Sequence, residues 1–382
     1  MEMEQLQAKE RERDVSLDVI RIAAFVLVPS VHFFLNSEYY VTPIAGMKMY
    51  LMTVMDSFCM VCVPLFLLLT GYLESRRRIA FARDSLLAFY GKLIGVYCVY
   101  LVTAILILAF RCCYLGERLG GWGSLEAVLG FQNYSWYVEM YLGLALLIPF
   151  LNAVWSTISD QTGHRCLILI LMALTILPSA MDMLLGHSLL PDWWKGLYPV
   201  TYYYLGAYLR EYDDTAAMPG VRRIGKSKVQ NSGRLLVLLL ACSLFAGFYA
   251  ILRNHHGVLT SGDWNDWGSL LNTLDAVLLF RLLRSLDYSR ISVNLKRGLE
   301  RVASLTFAAY LLSWIPDHVL YPVLIAAVPQ MEQRIRFFLP VVLSSVVISL
   351  LLAAIVNPLA GRIGRMVRDM LGKVFRIHIE SN

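Results

Sequence analysis

Residues 337–360 read FFLPVVLSSVVISLLLAAIVNPLA, a run of 24 residues without a charged side chain. A helix needs about 20 predominantly apolar residues to cross the hydrocarbon core of a bilayer, so this run predicts a transmembrane helix. The whole chain has the same character, since 58% of its 382 residues are hydrophobic and 16% are charged. Soluble domains carry about 25% charged residues. This composition excludes an ordinary cytosolic enzyme, a disordered protein and a fibrous protein.

Similar apolar segments recur along the chain and predict an all-α polytopic membrane protein with about ten transmembrane helices. The predicted spans cover residues 17–35, 49–73, 86–110, 136–156, 166–185, 194–210, 234–252, 266–284, 302–325 and 337–360. The connections between them are too short for an extramembrane globular domain. We therefore expect a cytoplasmic N-terminal tail over 1–15, a transmembrane domain over 16–360 and a basic cytoplasmic C-terminal tail over 361–382.

The basic residues predict the orientation of the spans. The net charge of +6 comes from 34 basic and 28 acidic residues, and in a soluble protein it would suggest a nucleic-acid partner. Here the Lys and Arg residues lie in short loops, so membrane topology accounts for them and no nucleic-acid partner is expected. With the N-terminus inside, 25 of them fall in inner segments or at the adjoining span ends, seven in outer segments or at the adjoining span ends, and the other two, Arg21 and Lys92, further within spans. Both termini are therefore predicted to be cytoplasmic.

The cysteines give no indication of a metal site. Cys59 and Cys62 form a C-x2-C pattern, but it lies inside an apolar helix and has no second pair to complete a tetrahedral zinc site. Packing between membrane helices accounts for both residues, and we predict no metal site.

Ionisable residues inside membrane spans are costly and tend to be functional. Among the ionisable residues of the predicted spans, the candidates are Arg21, His32, Asp56, Lys92, Glu139 and Asp275. Asp56, Lys92, Glu139 and Asp275 are each compatible with one half of a buried pair that fixes helix packing. Glu139 is the more suggestive of these, because it lies among aromatic residues in NYSWYVEMYLGL.

Arg21 and His32 form the most specific pattern in the chain. They are eleven residues apart, which is about 20° past three helical turns, so both side chains leave the helix on nearly the same face, about 16 Å apart along its axis. Asp18 precedes Arg21 by three residues and can pair with it. Pro29, one turn before His32, is expected to kink the helix. The pattern favours an anion-binding arginine and a histidine base, over an interfacial arginine and a structural histidine.

Five segments of the chain resemble motifs of the membrane acyltransferase 3 family, in the order in which that family has them. SLDVIRIAAFVLVPSVH resembles its first-span signature, in which Arg and His have the spacing of Arg21 and His32. The other four segments are CVPLFLLLTGYL in the second span, SWYVEMYLGLALLIPFLN with Trp136 and Tyr137, YPVTYYYLGAYL, and SLTFAAYLLSWIPD with Tyr310. The resemblance covers residues from about 16 to 360, nearly the whole chain.

Two positions depart from the family pattern. The late motif usually has His where this chain has Ser313. The family often has an Arg-rich pair at the start of the third span, where this chain has Arg83 and Lys92 without a clean match.

The resemblance implies an acyltransferase of a bacterial cell membrane, the plasma or inner membrane. Such enzymes typically move an acetyl group from cytoplasmic acetyl-CoA to a hydroxyl of a cell-surface glycan or its lipid-linked precursor. Acyl-CoA is then a donor substrate and no bound cofactor is expected. The candidate catalytic residues are His32 and Glu139, and the candidate acyl-CoA-binding residues are Arg21, Arg83 and Lys92. Candidate supporting residues are Asp18, Asp56, Trp136, Tyr137 and Tyr310.

Two other classes of membrane protein fit part of the sequence. A transporter of a small solute or a lipid-linked saccharide would also have about ten spans and intramembrane charges. It should show internal repeats, and the two halves of this chain show no convincing repeat. A sensing or structural module without chemistry would leave the shared face of Arg21 and His32 unexplained.

Overall fold

The computed structural model describes residues 13–188, 192–213 and 226–380. Most of the predicted N-terminal tail, the centre of the loop between residues 210 and 234 and the last two residues of the C-terminal tail lie outside this part of the chain. The described residues form fifteen α-helices and four short 3₁₀-helices, and no strand. The predicted all-α architecture is confirmed.

Contacts divide the chain into two compact units. The first unit comprises residues 1–76, 158–304 and 330–336, and the second comprises residues 77–157, 305–329 and 337–382. The helices of the first unit are α1 (Val15–Asn36), α2 (Met47–Cys59), α3 (Cys62–Glu74), α8 (Gln161–Thr175), α9 (Leu177–Leu185), α10 (Tyr198–Tyr212), α11 (Lys226–Arg253) and α12 (Leu270–Ser285). The helices of the second unit are α4 (Arg83–Tyr90), α5 (Leu93–Cys113), α6 (Gly121–Leu129), α7 (Trp136–Thr157), α14 (Trp314–Ala327) and α15 (Phe338–Glu380). Helix α13 (Val293–Leu312) begins in the first unit and ends in the second.

Six helical segments in the described part of the chain are long and apolar enough to cross a membrane. Two bent helix pairs raise the number to as many as eight, α8 with α9 at an angle of 46° and α13 with α14 at 61°. The multi-pass character is therefore shown, while the count of ten spans and the cytoplasmic termini stay predictions.

Two predicted spans correspond to helices that are short for a bilayer. Helix α10 has 15 residues and α12 has 16, so they measure about 22 and 24 Å against a hydrocarbon core of about 30 Å. Much of both helices is buried in the first unit. Helix α15 is the opposite case: it continues from the last predicted span through Glu380, so the predicted C-terminal tail is helical in the described residues.

Helices α3 and α10 pack closely because each has a glycine at the crossing. A Cβ added to Gly71 would lie 1.9 Å from the carbonyl oxygen of Tyr203, and one added to Gly206 would lie 2.1 Å from the carbonyl oxygen of Leu68. Glycine is therefore required at both positions for the backbones to come this close. The contact brings together two of the motif segments in the sequence and fixes Tyr72 of α3 beside the last turn of α10.

In the second unit, α5 and α15 also cross at glycines. A Cβ on Gly364 would lie 3.5 Å from the Cα atom of Gly95 and 3.7 Å from the Cβ atom of Cys98. Tyr100 of α5 holds the loop after α6, since its hydroxyl donates to the carbonyl oxygen of Val128 (2.8 Å) and accepts from the backbone N–H of Phe131 (3.0 Å).

Candidate functional site

Helix α1 carries both members of the predicted Arg–His pair. Asp14 caps its N-terminus, accepting a hydrogen bond from the backbone N–H of Ser16 at 3.0 Å. His32 is buried, with 7% of its surface exposed, and the Arg21 side chain is 30% exposed. One continuous helix therefore places an arginine near its start and a buried histidine about 16 Å further along.

Asp18 is held mainly by a residue that precedes the helix. Arg13 makes a forked contact with it, through Nε at 2.9 Å and Nη2 at 2.8 Å, while the predicted partner Arg21 lies 3.9 Å away. Arg13 also donates to Glu300 at 3.0 Å. Asp18 thus joins two arginines at the start of α1, and its supporting role stays a prediction.

Arg284, in the last turn of α12, lies at the centre of a buried polar cluster. It is 9% exposed and donates to the Asp14 carboxylate and to the Ser16 hydroxyl. It also donates to the Tyr72 hydroxyl at 2.8 Å. Partial burial raises the pKa of the Asp14 carboxyl, but the charge of Arg284 and the hydrogen bonds from Ser16 and Arg284 outweigh it, so this pKa lies below its ordinary value of 3.8.

Arg210, in the last turn of α10, also contacts Tyr72. Its Nη1 donates to the carbonyl oxygen of Tyr72 at 3.0 Å. The guanidinium carbons of Arg210 and Arg284 lie 5.0 and 5.1 Å from the centre of the Tyr72 ring, within cation–π range. Arg76, just after α3, has an exposed side chain and adds a third positive charge to the electrostatic surroundings of Tyr72 and Arg210. We call Asp14, Tyr72, Arg76, Arg210 and Arg284 the Tyr72 cluster.

The Tyr72 cluster has the properties of an anion site. Three guanidinium charges stand against the single carboxylate of Asp14, which leaves a net charge of +2 among these groups. Within the residues that the structure describes, the Nε atoms of Arg210 and Arg284 are buried and have no hydrogen-bond partner. A buried unpaired donor on a charged group is costly. An anion with several acceptor oxygens would relieve both the charge excess and the missing hydrogen bonds.

Asp56, another candidate supporting residue, is buried in α2 of the same unit. It is 3% exposed and accepts a hydrogen bond from the Tyr40 hydroxyl at 2.8 Å. Asp275 of α12 is likewise buried and accepts from the Ser243 hydroxyl at 3.0 Å. Hydroxyl hydrogen bonds of this kind suit structural carboxyl groups, and nothing in this geometry assigns chemistry to either residue.

The remaining candidates lie in the second unit. Arg83 begins α4, Lys92 lies between α4 and α5, and both side chains are exposed. Glu139 lies in the first turn of α7 and is also exposed, and Trp136 at the start of that helix is 38% exposed. Their predicted roles in binding and catalysis are not tested by these positions and stay predictions.

Tyr137 and Tyr310 are brought together in the second unit, with their rings edge to face and the centroids 5.9 Å apart. The Tyr310 hydroxyl donates to the carbonyl oxygen of Tyr134. The Tyr134 hydroxyl in turn donates at 3.1 Å to Asp317, which is 1% exposed and also accepts from the Ser345 hydroxyl at 2.8 Å. This network ties the start of α7 to the bend between α13 and α14.

Asp14, Arg210 and Arg284 could not be recognised as candidate binding residues from the sequence pattern. Both arginines counted among the inner basic residues that set topology, and Asp14 was part of the N-terminal tail. Two signals were present in the sequence: Arg210 directly follows the motif segment YPVTYYYLGAYL, and Asp14 directly precedes the Arg–His helix.

Comparison with known proteins identifies a family. A family model described as an acyltransferase domain, of the acyltransferase 3 type, matches residues 14–354. That range begins at Asp14 and contains every residue of the Tyr72 cluster. Neither a curated protein nor a solved structure matches the chain significantly.

Proposed function

The chain belongs to the acyltransferase family whose model matches residues 14–354, and we propose that acyl-CoA is its donor. It transfers an acetyl or other short acyl group from acyl-CoA to a hydroxyl of a cell-surface glycan or a lipid-linked saccharide. A membrane acyltransferase needs a lipid bilayer, an acyl donor and an acceptor. We place the enzyme in the plasma or inner membrane of a bacterial cell, where it modifies polysaccharides of the cell envelope.

The observation that carries the donor assignment is the Tyr72 cluster. Its net charge of +2 and its two buried, unpaired Nε donors fit the diphosphate of coenzyme A, because guanidinium groups bind phosphate oxygens through paired hydrogen bonds. The cluster joins the ends of α3, α10 and α12 to the start of α1. With the predicted topology these ends face the cytoplasm, where acyl-CoA is available.

Helix α1 supplies the path from the donor site to the reaction. Arg21 lies near the start of this helix and His32 about 16 Å further in, so a pantetheine arm that follows α1 would deliver its thioester toward His32. A neutral imidazole there accepts the proton of the acceptor hydroxyl as the oxygen attacks the thioester carbonyl. The carbon–sulfur bond then breaks, and the imidazolium returns the proton to the departing thiolate. General base catalysis of this kind contributes about 10² to 10⁴ in rate.

The donor assignment is tested by acetyl-CoA binding to the purified full-length protein in lipid nanodiscs, measured by isothermal titration calorimetry. Arg210→Gln and Arg284→Gln should each weaken binding about tenfold or more, since each removes one charge-assisted contact to phosphate. Arg290→Gln removes an exposed arginine outside the Tyr72 cluster and serves as the matched control.

Thermal unfolding of each variant establishes that it is folded before binding is compared. Folded Arg210→Gln and Arg284→Gln proteins that bind acetyl-CoA like the Arg290→Gln control would contradict the assignment of the cluster to the donor.

A further inference from the structure

A second basic feature of the first unit lies beside the Tyr72 cluster. It is a cavity of about 440 Å³, lined by Arg13, Arg297, Glu300, Arg301 and Ser304. Arg297, Glu300, Arg301 and Ser304 come from the middle turns of α13, and Arg13 comes from the residues that precede α1. We call this feature the Arg301 cavity.

The charges of the Arg301 cavity are unbalanced. Three arginines and one glutamate leave a net charge of +2 on its lining. Glu300 is engaged with Arg13 at 3.0 Å, and Arg13 also holds Asp18. Arg297 and Arg301 are exposed and open to an incoming ligand, and the Ser304 hydroxyl adds a polar group to the same wall.

The Arg301 cavity and the Tyr72 cluster are neighbours in space because consecutive residues belong to each. Arg13 lines the cavity, while Asp14 pairs with Arg284 in the cluster. Two positively charged sites therefore flank the start of α1. A ligand that occupies both needs two anionic groups separated by a short spacer.

We propose that the Arg301 cavity binds the 3′-phosphate of the coenzyme A donor, while the Tyr72 cluster binds its diphosphate. This inference rests on the proposed function. The 3′-phosphate is a phosphate monoester, which carries a charge of about −1.5 to −2 at neutral pH and matches the net charge of +2 on the lining. It is attached to the same ribose as the diphosphate, so one donor carries an anionic group for each of the two neighbouring sites. The cavity then makes the enzyme specific for coenzyme A over carriers that lack this phosphate.

The test compares coenzyme A with dephospho-coenzyme A, which lacks the 3′-phosphate and keeps the diphosphate. Affinities are measured by calorimetry for the full-length protein in zwitterionic nanodiscs at fixed salt. The parent should bind coenzyme A about tenfold or more tightly than dephospho-coenzyme A, as expected for the loss of charge-assisted contacts. Arg301→Gln and the double variant Arg297→Gln/Arg301→Gln should remove most of this preference and leave the affinity for dephospho-coenzyme A unchanged. Arg290→Gln is the control of equal charge.

Arg284→Gln gives the complementary pattern. It should weaken binding of both compounds by the same factor, because both carry the diphosphate. Equal affinity of the parent for the two compounds, or a preference that survives in the double variant, would overturn the assignment of the cavity while leaving the proposed function intact. A parent protein that binds neither compound would overturn the proposed function itself.

The same cavity charge would also suit the phosphate headgroup of an anionic lipid. Repeating the titrations in nanodiscs with phosphatidylglycerol separates the two sources. If anionic lipid changes the thermal stability of the parent but not of the double variant, and the coenzyme A preference is absent, the cavity is a lipid site and the proposal is wrong.

Discussion

Replacing Gly206 with alanine should damage both the stability of the protein and its donor site. The added Cβ would lie 2.1 Å from the carbonyl oxygen of Leu68 and 2.8 Å from the backbone nitrogen of Tyr72. Non-bonded heavy atoms pack at about 3.5 Å, so α3 and α10 must separate by about 1 Å or more. Both obstructing atoms belong to a helix backbone and cannot rotate away. Overpacking typically lowers the free energy of unfolding by about 1–3 kcal/mol, and here we expect a loss of about 3 kcal/mol or more.

The separation of α3 and α10 should also weaken binding of acetyl-CoA. Arg210 lies one turn after Gly206 on α10, and its hydrogen bond to the Tyr72 carbonyl oxygen crosses the same interface. We expect Gly206→Ala to lower the thermal unfolding temperature by a few degrees, since the shift is about 1 °C for each kcal/mol in a chain of 382 residues. We also expect it to weaken acetyl-CoA binding about tenfold.

Gly143→Ala is the matched control. Gly143 lies in the interior of α7, and a Cβ there meets no atom within 4 Å. Alanine has a higher helix propensity than glycine by about 1 kcal/mol, so this variant should be as stable as the parent or slightly more stable. Equal unfolding temperatures and equal acetyl-CoA affinities of Gly206→Ala and Gly143→Ala in nanodiscs would show that close packing at Gly206 does not support the donor site.

Three further predictions concern the Tyr72 cluster and the topology. Tyr72→Phe removes the hydroxyl that accepts from Arg284 and should weaken acetyl-CoA binding about threefold to tenfold in calorimetry, whereas Tyr72→Leu, which also loses the cation–π contacts, should weaken it more. Because the pKa of Asp14 is lowered in the folded protein, its stabilisation is present above about pH 4 and is lost as the pH falls through the lowered value. Thermal unfolding from about pH 6 to about pH 3 should therefore depend less on pH in Asp14→Asn than in the parent, and equal acid dependence would contradict the pairing. A reporter fused between residues 214 and 225 should be active on the cytoplasmic side, and an outside location would rule out the predicted orientation.

Most of the fold could be predicted from the sequence because bilayer thickness sets the length of an apolar segment. The run at 337–360 and the helix with Arg21 and His32 follow directly from this rule. The lengths of helices α10 and α12 could not be predicted from this rule. Their segments are apolar and aromatic enough to resemble spans, but their lengths depend on where neighbouring helices cover them, and hydrophobicity does not report that.

The candidate site could be predicted in part. Arg21, His32 and Asp18 are close in sequence, so helical periodicity relates them. The Tyr72 cluster instead depends on contacts such as that between Arg284 and Asp14, which are 270 residues apart. Counting basic residues in inner loops cannot separate an arginine that binds a ligand from one that sets topology, because both roles place the same charge at the same end of a helix.

The most direct test of His32 as the catalytic base is the transfer of labelled acetyl groups from acetyl-CoA into the glycan fraction of membranes. Membranes that contain the parent protein are compared with membranes that contain His32→Gln. Glutamine preserves a hydrogen bond but cannot accept and release the proton. His32→Gln should therefore unfold at the parent temperature and bind acetyl-CoA normally, yet lose transfer by about 10² or more. Labelling by a folded His32→Gln protein at the parent rate would contradict the account and leave His32 as a packing residue.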